Sequence, residues 1–327
     1  MQDVTDLPFM RVLARRGPPD WFVTEYFRVH PDSRLNGYIL RSIDENQTGR
    51  PVFAQMIGRD IPALVRTAGE LARHPIAGID LNLGCPAPIV CRKDAGGGLL
   101  RDPEMVDRII GTLREAIPGR FTVKTRVGYH DASEFSGLLE IFRRHAIDGL
   151  TIHGRTVGER YATPVHPDCV RAAVAAMPCP VIANGNVVDV ETGRAYLEQT
   201  HAAGLMVGRG AIRNPWIFSQ LAAAFGNLPP MVPTRRDLLE YIRDLYDEMA
   251  REAIRFEPLG HVQRMKRPLI YISHGLDETF EQQIRRAKTP EEFAAICDDH
   301  LDNNSPLPVR PPADSKLFCG FEELVGR

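Results

Sequence analysis

Seven short apolar runs, at residues 21–24, 52–56, 78–83, 121–125, 149–152, 180–183 and 203–207, punctuate roughly the first 220 residues. Most are apolar almost throughout rather than at alternate positions, the pattern of a parallel strand buried on both faces. Between them the period lengthens to that of a helix. After Asp102-Pro103, a cap followed by proline at the first helical position, Met105, Val106, Ile109, Ile110 and Leu113 recur at helical spacing. Repeated βα units predict a parallel α/β sheet, and no GxGxxG follows an early strand, so a TIM (β/α)8 barrel is expected in preference to an open doubly wound sheet. Seven strands are one short of closure, and Gln2 to Phe9 read as a loop and helix start. The first strand is therefore expected to be missing or truncated.

From Thr234 the pattern is purely helical, with Leu238, Leu239, Ile242, Leu245, Tyr246 and Met249 on one stripe. Further helices are expected over 262–272 and from Thr289-Pro290-Glu291-Glu292 towards His300. Pro306, Pro308, Pro311 and Pro312 then crowd the chain. The expected organisation is a catalytic barrel at 1–228, a small helical bundle at 229–302, and an extended or disordered tail at 303–327.

With 43% apolar and 25% charged residues in a chain of 327, a sizeable core can be buried. No apolar run approaches the ~20 residues of a membrane span, and the start lacks the regions of a signal peptide, so no membrane association and a cytoplasmic location are expected. Six cysteines without CxxC spacing read as reduced thiols, and no metal site is expected. A formal charge of −2 excludes wholesale coating of nucleic acid but leaves room for a local basic patch.

In such a barrel the chemistry lies at the carboxyl ends of the strands. The polar residues gathered there are Glu25, Gln55, Asn82 with Cys85, Lys124 with Arg126, His153 with Arg155, Asn184, and Gly208-Arg209-Gly210. The last turn suits phosphate: glycines let amides approach an anion, and the arginine adds a forked donor. Asn184-Gly185-Asn186 would add its backbone at the same place; ordinary tight turns are the plain alternative. Lys124 and Arg126 would suit an anionic, electron-rich ring such as a reduced flavin, although a Schiff-base lysine or a strand-end ion pair fits the same spacing. Cys85 is followed by Ala95-Gly96-Gly97-Gly98, which reads as a mobile active-site loop, and a thiol there can deliver a proton. His153 would join the anion-binding arc. The other cysteines read as structural.

At these positions the chain resembles the tRNA-dihydrouridine synthase (Dus) family, FMN-dependent enzymes that reduce the C5=C6 bond of tRNA uridines. The resemblance rests on an ordered set: the opening Met1 to Asp6, Val23-Thr24-Glu25-Tyr26, Gln55-Met56-Ile57-Gly58, Asn82-Leu83-Gly84-Cys85-Pro86, Val123 to Gly128, Ile152 to Thr156, Ala183-Asn184-Gly185 and Val207 to Gly210. It implies that Met1, Gln55, Lys124, His153, Asn184, Gly185, Asn186, Gly208 and Arg209 hold FMN. Lys124 would lie near the redox part of the ring and Gly208-Arg209 on the phosphate. Asn82 and Arg126 would bind the uracil, with Arg155 and Tyr161 nearby. NADPH would recharge the flavin, hydride would pass to C6, and Cys85 would protonate C5 of a flipped-out base. The helical residues Gly260 to Lys266 resemble the family's tRNA-binding domain, which puts Arg264 and Lys266 on tRNA phosphates. After Tyr161 the family usually shows glycine and then tryptophan, where this chain has Ala162-Thr163-Pro164.

A monomer is expected, and Tyr26 to Val29 with His261 to Lys266 lean towards the subfamily acting at position 16 of the D-loop. Two other readings remain open: an FMN-dependent barrel reductase of a small pyrimidine or enone, and a flavin-free barrel that binds RNA or forms a Schiff base through Lys124.

Overall fold

The computed structural model describes residues 4–252 and 257–326. Its strands are Phe22–Val23 (β1), Phe27–Val29 (β2), Val52–Gly58 (β3), Gly78–Leu83 (β4), Phe121–Arg126 (β5), Gly149–His153 (β6), Val181–Asn184 (β7) and Gly204–Met206 (β8). The order is β1, β3, β4, β5, β6, β7, β8, every pair parallel, with β2 also on β3. Every residue of β4 is buried, the polar Asp80 and Asn82 included.

All seven apolar runs are strands, and β2 is the addition. β1 pairs with the start of β3 and β2 with its end, so the two are pieces of one interrupted strand. At the interruption the Gln55 amide donates to Thr24 Oγ1 at 3.1 Å, a side-chain acceptor where a regular ladder would offer a carbonyl. Among the described residues no strand precedes β1 and no pairing joins β8 to β1. Among the described residues the sheet is parallel and of (β/α)8-barrel type, without closure.

The helices follow their local signals. In Pro103–Ala116 the Asp102 carboxylate accepts the Met105 amide at 3.1 Å, and Val106, Ile109, Ile110 and Leu113 are buried. Thr234 and Asp237 form a reciprocal capping box at the head of Arg235–Arg251. Thr289 caps Pro290–Leu301 through the Glu292 amide. Pro258–Ile272 continues through Pro268, whose ring is buried. No helix among the described residues is long and apolar enough to cross a membrane.

The chain divides into two compact units. One comprises Asp20–Val187, Glu191–Val207 and Cys319–Arg327 and carries the sheet. The other comprises Met1–Pro19, Val188–Val190 and Gly208–Phe318. In this helical unit Leu7–Ala14 is tied to Arg235–Arg251 and the residue after it: Arg15 bonds the buried Glu248, Arg11 bonds Glu252 and stands 3.7 Å from Glu248, and Arg16 bonds Asp244 at 2.7 Å. This division cuts across the boundary expected at 228. The stretch 303–327, expected to be extended or disordered, is ordered where described. Leu307 lies among its prolines and Phe318, Phe321 and Leu324 beyond them, and all four are buried. Arg213 binds the carbonyls of Pro308 and Val309, and burial pulls its guanidinium down to about 10.

Candidate active site

Parallel register places the polar strand ends in a row on the sheet: Gln55 opposite Asp80, Asn82 opposite Lys124, Arg126 opposite His153, and His153 opposite Asn184. Two different networks grow from this row.

The first spans β3 to β5. The Asp80 carboxylate accepts from Thr122 Oγ1 at 2.6 Å and from Gln55 Nε2 at 2.7 Å. Gln55 Oε1 accepts from Asn82 Nδ2 at 2.8 Å, and Asn82 Oδ1 accepts the amides of Gly84 and Cys85, each at 3.0 Å. An ionised carboxylate only accepts and an amide N–H only donates, so both ends agree on the direction of every bond. Each side-chain amide is left with one further N–H. The chain ends at half-buried Cys85, whose thiol lies 4.0 Å from the Tyr26 hydroxyl. Burial pushes Asp80 up to about 6, against the pull of Thr122, Gln55 and Lys124. Burial and then Arg126 bring half-buried Lys124 down to about 8, against Asp80 and Cys85. Among the described residues Lys124 forms no ion pair.

The glycine loop was expected to be mobile and is instead packed. Gly96–Arg101 is a 3-10 turn with its three glycines buried. A Cβ on Gly97 would stand 2.8 Å from the Cys85 carbonyl, which accepts the Gly97 amide at 3.1 Å. The glycines are there for close approach to the thiol's backbone.

The second network spans β5 to β7, and most of its hydrogen bonds go to backbone carbonyls. Arg126 is 1% exposed and donates to the carbonyls of Gly84, Thr156 and Arg160 at 2.7–2.9 Å. Its guanidinium sits 5.1 Å from the ring centroid of Tyr161, which is half exposed and packs edge-on to His153 at 5.8 Å. Arg155 is fully buried; it bonds the Thr163 carbonyl and, at 2.8 Å, both Asn186 Oδ1 and the Cys319 carbonyl. Asn186 in turn donates to the Gly320 carbonyl. Asn184 Nδ2 donates to the Met206 carbonyl at 2.7 Å, joining the ends of β7 and β8. Gly185 has φ +120°, and a Cβ there would meet Val165 at 2.9 Å. Glu159 receives the Thr156 amide at 2.6 Å and a His166 nitrogen at 2.9 Å, which fixes the turn below Tyr161.

Gln55, Asn82, Cys85, Lys124, Arg126, His153, Tyr161, Asn184, Gly185, Asn186 and Arg155 thus share the sheet-bearing unit. Gly208, Arg209, Arg264 and Lys266 lie in the helical unit. Gly208 precedes the short helix Arg209–Arg213, and a Cβ on it would meet nothing within 4 Å. Arg209 bonds the Leu317 carbonyl and lies over the Phe318 ring at 5.8 Å. Arg264 and Lys266 are half-buried on Pro258–Ile272. Met1 lies outside the described residues. Asp80 and Thr122 were not anticipated, and Tyr26 was named only as part of a motif, with no role at the site. Period-two spacing from Asn82 and Lys124 could have found Asp80 and Thr122, which share their strand faces.

A family model described as dihydrouridine synthase (Dus) matches residues 1–305. The tRNA-dihydrouridine synthase B of Pectobacterium carotovorum is 35% identical over 256 residues, covering 76% of this chain and 78% of that protein. A tRNA-dihydrouridine(16) synthase of Neisseria meningitidis is 30% identical over 307 residues, covering 90% and 91%. Among solved structures, a 2-naphthoyl-CoA reductase complex has a TM-score of 0.51 at 12% identity, covering 68% of this chain and 47% of that one, and shares the fold.

Proposed function

The chain belongs to the dihydrouridine synthase family, and on that premise we propose that it is a tRNA-dihydrouridine synthase, an oxidoreductase that reduces the C5=C6 bond of a D-loop uridine using FMN and NADPH. The observation that carries this reading is the network ending at Cys85: directed amides, an ammonium without an ion-pair partner among the described residues, and a half-buried thiol on one row of strand ends. An ammonium beside amide N–H groups suits an electron-rich, oxygen-bearing ring, so the residues present fit a flavin. Bound there, reduced FMN supplies a hydride to C6 of the pyrimidine.

The protein does the rest. Gln55 and Lys124 hold the ring, with His153, Asn184, Gly185, Asn186, Gly208, Arg209 and Met1 as the remaining cofactor set. Asn82 offers its N–H to a uracil oxygen. Cys85 gives its S–H proton to C5, and the sulfur keeps the electron pair as a thiolate. Arg126 joins Asn82 at the uracil while its other donors hold the loops around it, Arg155 and Tyr161 stand on the substrate side, and Arg264 and Lys266 meet tRNA phosphates. A domain pair of barrel and tRNA-binding helices, a monomer, no metal and a cytoplasmic setting complete the reading. The target leans towards position 16 on the stretches Tyr26 to Val29 and His261 to Lys266.

The test is to purify the chain, record its visible spectrum, and supply NADPH with tRNA lacking dihydrouridine. A flavin band and dihydrouridine detected by mass spectrometry are expected. Flavin with activity only on free uracil would favour a small-pyrimidine reductase, and a flavin-free protein that binds tRNA or is trapped by borohydride would overturn the reading.

A further inference from the structure

The break between β1 and β2 has a chemical consequence. With Thr24 Oγ1 holding the Gln55 amide, the chain leaves the ladder for the residues up to Tyr26, and the Tyr26 ring turns towards the loop after β4. Its hydroxyl stands 4.0 Å from Cys85 Sγ, the one side-chain hydrogen bond recorded for that thiol among the described residues. The ring is half-buried, with the Arg28 guanidinium 5.9 Å from its centroid.

We propose that Tyr26 is a positioning residue for the proton-transfer step, donating its phenolic O–H to Cys85 Sγ and stabilising the thiolate left when the S–H proton passes to carbon. This rests on the reading of Cys85 as the proton donor. Burial and then the neighbouring thiol push the Tyr26 phenol up to about 12, so it keeps its own proton over the range in which thiols ionise. Tyr26 is therefore a standing donor rather than a proton source, and the thiolate is reprotonated from water. A hydrogen bond to a charged acceptor is among the stronger kinds in a protein, and it forms fully only once the sulfur carries charge.

The other titratable groups that act electrostatically with the thiol are Lys124 from β5 and Cys91 from the helix Pro88–Cys91, with Arg126 acting on both. Lys124 also favours the thiolate. A Tyr26→Phe substitution leaves all of these in place and removes one oxygen.

The experiment measures the pH dependence of iodoacetamide alkylation at Cys85, followed by mass spectrometry of its peptide, in the full-length protein as purified. Buried Cys91 should stay protected in both proteins, which reports correct folding. In Tyr26→Phe the alkylation midpoint is expected to rise by about one pH unit, a tenfold loss of thiolate stability. The kcat for dihydrouridine formation is expected to fall about tenfold with the KM for tRNA unchanged. Site-specific 3,5-difluorotyrosine at position 26, a stronger donor of nearly the same shape, should move the midpoint down and serves if the Phe variant fails to fold. Coincident midpoints would overturn the role of Tyr26. The alkylation readout needs no turnover, so a wild-type protein inactive on tRNA would count against the function reading while leaving the Tyr26 result intact.

Discussion

The two networks at the strand ends use the same residue types to opposite ends. Along β5 to β7, Arg126, Arg155 and Asn186 spend their donors on backbone carbonyls of the loops and of Cys319 and Gly320. Along β3 to β5, the amides of Gln55 and Asn82 are aimed by Asp80 but not exhausted, and Lys124 and Cys85 are only half-buried. One network holds the scaffold, and the other bears titratable groups whose ordinary pKa values are displaced by burial. What separates them is where the bonds go: to loop carbonyls in one network, from side chain to side chain towards Lys124 and Cys85 in the other.

The largest effect that would sharpen this contrast is expected from Arg155→Ala. Removing a buried guanidinium leaves Thr163, Asn186 and Cys319 short of a donor and opens a cavity, so urea unfolding should show a loss of about 3–5 kcal/mol. Next comes Asp80→Asn. Asp80 titrates about 6 in the fold against 3.8 ordinarily, so its contribution to stability is present below about 4 and lost as pH rises through 6. The stability difference between wild type and variant should therefore shift against the wild type by up to about 3 kcal/mol between pH 4 and pH 7. Equal pH dependence in the two would remove Asp80 as the displaced group.

Lys124→Met should show the sign opposite to Arg155→Ala. Lys124 is held at about 8 against 10.5, so the charged ammonium costs stability below pH 8, and that cost is recovered as pH rises towards 10.5. At pH 7 the Met variant should be about 1–2 kcal/mol more stable in urea while its flavin affinity, read by fluorescence titration, falls at least about tenfold. A variant that loses stability would break the contrast. The smallest effect is expected from Cys319→Ser, because Arg155 takes the Cys319 carbonyl and not its thiol; the change should stay within about 0.5 kcal/mol.

The strands were legible because parallel strands buried on both faces are written as apolar runs, and β3 to β8 fall where those runs lie. Helix starts at Asp102, Thr234 and Thr289 were legible because a cap is a local signal. β2 was not, because its break depends on a bond between Thr24 and a strand 31 residues away. The glycine loop was misread for a related reason: three glycines signal freedom locally, whereas here they answer the close approach of Cys85 and Cys91. The packing of the tail was not legible, because Phe318, Phe321 and Leu324 follow no helical or strand period. The polar residues that the register brings into one row were legible as residue types at strand ends. The division between scaffold donors and free ones was not, since the carbonyls that satisfy Arg155 lie as far off as position 319.

The central claim, that Cys85 at the end of the directed network delivers the proton to carbon, is tested most directly by single turnover. Protein whose flavin has been reduced beforehand is mixed with tRNA lacking dihydrouridine, and flavin reoxidation and dihydrouridine are followed together for wild type and Cys85→Ala. Loss of dihydrouridine formation by about 100-fold or more, with the flavin still bound and reducible, is predicted. Dihydrouridine formed by Cys85→Ala at the wild-type rate would contradict it.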